Sequence, residues 1–179
     1  LKDISPHYTA IPKANGGSMF RIYRDARFSK DKRPYKENAG IQFRHKLGKD
    51  AHAPGFYINL KPGDMFYGGG VWSPESSALS EIRDRIAYYP KKWQAVIEDQ
   101  DFIEHFGEIK GSSLKRPPRG YDADHKYIED LKRKSFFAMK NSTDLDLVRT
   151  PEFLDEVVNT FEATSPLMAF ICDARGFEF

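Results

Sequence analysis

The period of hydrophobic and polar positions changes several times along the chain, and each change marks an element. From Ser18 to Phe28 the residues alternate, with Phe20, Ile22, Arg24, Ala26 and Phe28 on one face and Met19, Arg21, Tyr23, Asp25 and Arg27 on the other. This predicts a strand with Arg24 on its more apolar face. Ala39 to Lys49 offers only Phe43 and Leu47 as inward positions, which fits a short helix or an irregular segment. Gly55 to Leu60 and Met65 to Trp72 are rich in aromatic and β-branched residues, and the turn sequence Lys61-Pro62-Gly63-Asp64 between them predicts a hairpin.

Helical spacing takes over after Trp72. Ser73-Pro74-Glu75 supplies a capping hydroxyl, a first-turn proline and an early carboxylate. Leu79, Ile82, Ile86 and Tyr89 then form one buried stripe up to Pro90. Lys91 to Glu98 and Asp101 to Phe106 predict shorter helices, the second with Asp101 and Glu104 as reciprocal caps and Gly107 as its stop. Pro117, Pro118 and Gly120 make Gly111 to Asp122 a loop. Tyr127 to Lys134 predicts a short helix with Ile128 and Leu131 inward, and Ser135 to Lys140 a closing strand. Phe153, Leu154, Val157, Val158 and Phe161 give an amphipathic helix, which Ser165-Pro166 either kinks or follows with a second helix. Strands first and helices later imply an α+β fold, a mostly antiparallel sheet packed against several helices with an amphipathic C-terminal helix.

With 179 residues, 40% of them apolar and 30% charged, the chain can bury a core and is expected to form one domain over residues 1–179. The single cysteine, Cys172, excludes an internal disulfide and falls in an apolar helical pattern, as a buried structural thiol does. No apolar run approaches the roughly 18 residues of a membrane span, so the expected setting is cytoplasmic, with no membrane partner. Charge is uneven: up to Thr143 there are 26 basic and 18 acidic residues, and from Asp144 onward 8 acidic against Arg149 and Arg175. A solvated acidic helix face explains the tail; the alternative is a basic body that faces an anionic ligand.

Two basic segments carry the candidate chemistry. Arg21 to Lys36 holds Arg21, Arg24, Arg27, Lys30, Lys32, Arg33 and Lys36 against Asp25 and Asp31. Such a mixture of guanidinium forks and ammonium groups suits a phosphate or carboxylate, and equally suits a solvated, internally paired strand edge. Lys110, Lys115, Arg116 and Arg119 form the second, followed by Asp122, Asp124 and His125. His125 is the one candidate for proton transfer and is as readily a surface residue; two aspartates and one histidine make a weak metal signature, so no metal and no cofactor are expected. Gly68-Gly69-Gly70 lets backbone amides approach an anion, or marks a bulge or a tight sheet contact. No phosphate-loop, dinucleotide, nucleophile-elbow or zinc-helix motif is present. Tyr57, Phe66, Tyr67 and Trp72 either stack bases or pack across strands.

The run Arg21-Ile22-Tyr23-Arg24-Asp25-Ala26-Arg27-Phe28-Ser29-Lys30-Asp31-Lys32-Arg33-Pro34-Tyr35-Lys36 closely resembles the signature segment of the bacterial and fungal domain-of-unknown-function family 2461. Gly55-Phe56-Tyr57 with Pro62-Gly63 and Phe66-Tyr67-Gly68-Gly69-Gly70 is similar to its glycine-rich hairpin. Leu114 to Tyr121, Asp124-His125 and Leu131 to Phe136 are similar to its later blocks. Arg33 and Lys126 stand where the family has Thr and Pro. The resemblance spans about Phe20 to Phe137 and implies a cytoplasmic α+β domain that lacks an N-terminal helical segment of the full-length protein. It transfers no activity. Taken together, these features lead us to expect a pocket for a phosphate- or carboxylate-bearing small ligand, built by Arg21, Arg24, Lys30, Lys36, Lys115 and Arg116 with Gly69, and oriented by Tyr35, Tyr57 and His125. The alternative is a noncatalytic module that binds an acidic protein or a nucleic-acid backbone.

Overall fold

The structure, a computed structural model, describes residues 1–13, 16–48 and 53–179. Strands β1 (Ala39–Arg44), β2 (Gly55–Leu60) and β3 (Met65–Val71) form an antiparallel meander. Helices α1 (Ser76–Tyr88), α2 (Pro90–Ile97), α3 (Gln100–Phe106) and α4 (Ile128–Leu131) follow, and the chain then returns as β4 (Phe136–Ser142) to pair antiparallel with β3. Helices α5 (Glu152–Ala163) and α6 (Ser165–Ala174) complete the order. The sheet runs β1-β2-β3-β4, so the fold is α+β as the pattern predicts.

Strand alternation decides what each face of the sheet meets. Phe56, Ile58, Tyr67, Val71, Phe136 and Ala138 point inward and are buried under the helices. At the β4 end, Trp93 of α2 packs on Phe136 and Phe170 with ring centroids 5.9 and 4.9 Å away, and its indole N–H donates to Asp130 at 2.9 Å. At the β1 end, Phe56 stacks on Phe161 of α5 at 4.6 Å. Burying one such aromatic stabilises the fold by about 3–5 kcal/mol, judged by the usual cost of truncating it to alanine. Cys172 is buried, with its sulfur 3.3 Å from the Tyr8 hydroxyl.

Several sequence expectations are corrected. Ser18 to Phe28 is not a strand: it bonds to β1 only at its start, through Phe20 N–H to Gly40 O at 2.9 Å and Gln42 N–H to Ser18 O at 2.8 Å. Asp25 and Asp31 then each accept a backbone N–H from the residue two places on, from Arg27 at 3.2 Å and Arg33 at 3.0 Å. These side-chain turns outcompete the ladder. Ile22 and Phe28 are consequently 57% and 94% exposed. The segment begun at Ala39 is instead the true first strand; Lys49, its predicted end, lies outside the described residues.

Ser73 does not cap α1. Its N–H is taken by Ser135 Oγ at 2.9 Å, and the helix starts three residues later behind Glu75. Tyr89 closes α1 rather than extending its stripe; Pro90 opens α2, and the Arg85 guanidinium lies 4.1 Å from the centre of the Tyr89 ring. Asp99, two residues before the predicted cap, accepts the Phe102 N–H at 2.9 Å to start α3. Leu154, assigned to the buried stripe of α5, is exposed. Thr164 and Pro166 give a second helix rather than a kink.

Tyr67 is pushed up to about 12, first by burial and then by the neighbouring Glu156 carboxylate, which accepts its hydroxyl at 3.3 Å. Burial and Asp84 push Tyr121 to about 12 as well. The folded state therefore holds these protons where the unfolded chain, titrating near 10, releases them. Stability from both groups is complete below pH 10 and lost as pH rises towards 12. The melting temperature should fall across this window, and Tyr67→Phe should flatten the fall; an unchanged slope in that variant contradicts the assignment.

Candidate functional site

The helices cover one face of the sheet, and cross-strand register lays out the other. Reading from β1 to β4, Arg44, Gly55, Gly70 and Phe137 stand in one row, and Gln42, Tyr57, Gly68 and Met139 in the next. Gly40, Asn59, Phe66 and Asn141 form the third. Three glycines leave the middle without side chains while aromatic residues rise around it. The result is a groove of about 550 Å³, walled by Phe20, Tyr57, Phe66, Trp72, Phe137 and Met139, with Lys110 at its β4 side. Its size lies in the range of small-molecule sites, and so does its makeup of apolar walls with few polar groups.

Each wall has a local cause. Gly40 lets Phe20 and Tyr57 lie over β1, because a Cβ there would be 2.7 Å from the Tyr57 hydroxyl and 2.9 Å from the Phe20 ring. Tyr57 and Phe66 rings are 5.9 Å apart, and Trp72 and Phe137 5.3 Å. Burial raises the Tyr57 hydroxyl above the ordinary tyrosine value, so it keeps its proton to higher pH than a free phenol does. Gly70 has φ +141, and a Cβ on it would lie 2.3 Å from the Phe136 carbonyl oxygen. Gly69 faces the opposite way: its Cβ position is 2.9 Å from Thr164 Oγ1 and 3.2 Å from Met168 Sδ, so the helices lie close on it.

The first basic segment folds back on itself beyond β1. Arg24 N–H donates to Pro34 O at 2.9 Å and Lys36 N–H to Ile22 O at 2.8 Å, bringing the Tyr23 and Tyr35 rings to 5.5 Å. Arg24 and Arg33 both reach Asp31, at 2.5 and 2.7 Å, and Arg33 also pairs with Glu37. Arg33 first and Arg24 after it hold the Asp31 carboxyl well below the usual range. Arg27 pairs with Asp25 at 2.7 Å, while Arg21 and Lys30 are exposed. Arg24, whose side chain is 26% exposed, lines a cleft of about 220 Å³ with Arg33, Lys36, Glu37, Asn38 and Lys61. The Lys36 ammonium of the cleft rests 5.4 Å from the centre of the ring of Phe20, which lines the groove, so the two features adjoin at this contact.

The second basic segment runs past the other edge. Lys110 N–H donates to Phe137 O at 2.7 Å and its ammonium approaches Met139 O at 3.4 Å; Leu114 N–H donates to Lys132 O at 2.8 Å. Lys115 and Arg116 are exposed on this loop. His125 accepts the Tyr127 N–H on Nδ1 at 3.0 Å, which places it in the turn into α4. The two basic segments therefore border opposite edges of a sheet about 14 Å across. Arg24 and Lys36 come together, with Tyr35 beside them on the same fold-back. Tyr57 lies on the open face, and Lys115, Arg116 and His125 belong to the far side. Lys61 and Phe137, absent from the predicted set, join through the hairpin turn and through β4. Among the described residues, no group of three His, Cys, Asp or Glu side chains is placed to hold a metal.

The family described as "Conserved hypothetical protein (DUF2461)" matches residues 1–170, and the chain belongs to it. No curated protein and no solved structure matches the chain.

Because Gly70 combines a left-handed φ with a close carbonyl, Gly70→Ala should destabilise the fold by about 2 kcal/mol or more. Gly63→Ala, at φ +75 with open space around it, should cost less, about 1 kcal/mol. Urea unfolding of both variants checks the order; equal costs contradict the close approach of β4 to β3.

Proposed function

We propose that the chain binds a small phosphate- or carboxylate-bearing ligand, with the anionic group in the cleft formed by Arg24, Lys36 and Lys61. The observation that carries this reading is the convergence of Arg24, Arg33, Lys36 and Lys61 on one space of about 220 Å³ in which Glu37, paired with Arg33 and 3.9 Å from the Lys61 ammonium, is the one carboxylate among the described residues, so the cations exceed the acid that lines it. A guanidinium held in place by a carboxylate is already oriented, so little side-chain entropy is lost when an oxyanion arrives. Asp31 has a double role here: it positions Arg24 and also competes with the ligand for it. Tyr35, Arg21 and Lys30 belong to the same fold-back and would extend the positive field around the cleft. The reading is of a binding protein in a cytoplasmic setting; no helix among the described residues is long and apolar enough to cross a membrane.

A second reading, a surface for an acidic protein or a nucleic-acid backbone, draws support from the exposed Lys115 and Arg116 and from Phe28 at the tip of the basic fold-back. Salt separates the two. A small anion that meets two or three cations in a cleft is bound selectively and loses affinity shallowly with salt, whereas a polyanion surface, which releases many counterions, loses it steeply.

Calorimetric titration with inorganic phosphate, small carboxylates and a short oligonucleotide at two salt concentrations is the test. Arg24→Met should weaken anion binding by about tenfold or more, as expected for loss of a charged hydrogen bond, and Lys36→Met should weaken it as well. Asp31→Asn should strengthen it by removing the competing carboxylate. Anion affinity unchanged in Arg24→Met overturns the proposal, and an oligonucleotide-only response that vanishes in salt favours the second reading.

A further inference from the structure

The cleft accounts for an anionic group and leaves the larger feature unexplained. A sheet face with helices on one side only commonly presents polar side chains to water. Here the central positions are glycine and most of the surrounding ones are apolar or aromatic, Phe20, Tyr57, Phe66, Trp72, Phe137 and Met139, with Gln42 and Asn141 as the polar exceptions on the strands. Trp72, 63% exposed, gains little from solvent, and its indole lies against Phe137 rather than in the core. Gly55 and Gly70, which are direct cross-strand partners, contribute no side chain to the floor between Tyr57 and Phe137. The groove is thus flat-floored and aromatic-walled, a shape that takes a planar ring better than a branched aliphatic body, since aromatic pairs prefer offset or edge-to-face contact.

We infer that the groove on the open face of the sheet binds a planar aromatic or heteroaromatic ring that carries a phosphate or carboxylate. This inference rests on the function proposed above and names its ligand class. Phe20 supplies the link: one side of its ring meets the groove and the Lys36 ammonium lies against it, so a ring in the groove can direct an anionic substituent toward the cleft. Lys110, at the opposite side, adds a second positive charge to the rim and disfavours a cationic ligand. The Tyr57 hydroxyl, half-buried beside the floor, is a donor for a ring heteroatom or an exocyclic oxygen.

The test is calorimetry on the whole chain with naphthyl phosphate, cyclohexyl phosphate, inorganic phosphate and neutral naphthol. Naphthyl phosphate should bind about tenfold or more tightly than inorganic phosphate, the gain expected of one stacked ring. Trp72→Leu should remove that gain while leaving inorganic phosphate unaffected, and Met139→Glu, which brings a carboxylate into the groove, should remove it independently. Equal affinity for naphthyl and inorganic phosphate overturns the groove assignment and leaves the cleft standing. Cyclohexyl phosphate matching naphthyl phosphate overturns the planar-ring class. Naphthol binding as tightly as naphthyl phosphate, with Lys36→Met without effect on either, overturns the link between groove and cleft, whereas the proposed function falls only if inorganic phosphate binds Arg24→Met as it binds the unaltered chain.

Discussion

Three successive glycines in the middle of β3 set how closely everything else in the molecule can approach. A side chain at Gly68 would lie 2.0 Å from the Ala138 carbonyl oxygen, so β4 could not take its place in the sheet. At Gly69 it would meet Thr164, Phe56 and Met168, and would hold the α5–α6 junction off the inner face. At Gly70 it would strike the Phe136 carbonyl. The same absence of side chains that draws β4 and the helices onto β3 opens the trough on the other face. Tight packing on one side and a hollow on the other are therefore two consequences of one sequence feature, and a helix layer on a single face is what keeps the hollow accessible.

Charge is arranged around this frame mostly by local pairing. Acidic residues of the C-terminal helices meet cations of the body: Glu156 pairs with Lys140 at 2.5 Å, Asp173 with Arg85, and Arg175 reaches back to Glu81 at 2.7 Å. The imbalance between the two halves of the chain is in part the charge that joins α5 and α6 to β4 and α1. In the fold-back after Phe20, each aspartate both makes a turn and fixes an arginine, so the segment acquires a defined shape without a ladder of its own. Exposed pairs of this kind add little stability, and their effect is to orient. Arg24 differs because, besides pairing with Asp31, it lines a cleft that holds further cations.

Long or strongly patterned elements were legible in the sequence: the β2–β3 hairpin, β4, α5 and the α+β class follow from period and turn chemistry, whereas β1 did not. The fold-back was not, because its alternation is genuine and the aspartate turns that override it act through side chains two residues apart. Helix starts slipped by two or three residues: Ser73 has a left-handed φ of +46 instead of the extended backbone of a cap, and α1 starts behind Glu75. The groove was the least legible part. Tyr57, Phe66 and Phe137 lie in three strands, and only register reveals that glycines separate them on one face. Phe136 and Phe137 are neighbours in sequence with opposite fates, one in the core and one in the groove wall. Gly68-Gly69-Gly70 was visible as a close approach of backbone, but which element approaches is a matter of tertiary structure.

The central claim is that the open face of the sheet is where a ligand lies. Amide spectra of the protein carrying isotope-labelled glycine, recorded during addition of naphthyl phosphate, address it directly because glycines mark both the floor and the distant turns. The account predicts saturable shifts at Gly55, Gly68 and Gly70 with Gly63, Gly107 and Gly176 unmoved. Shifts at the turn glycines, with the floor glycines silent at saturation, would contradict it.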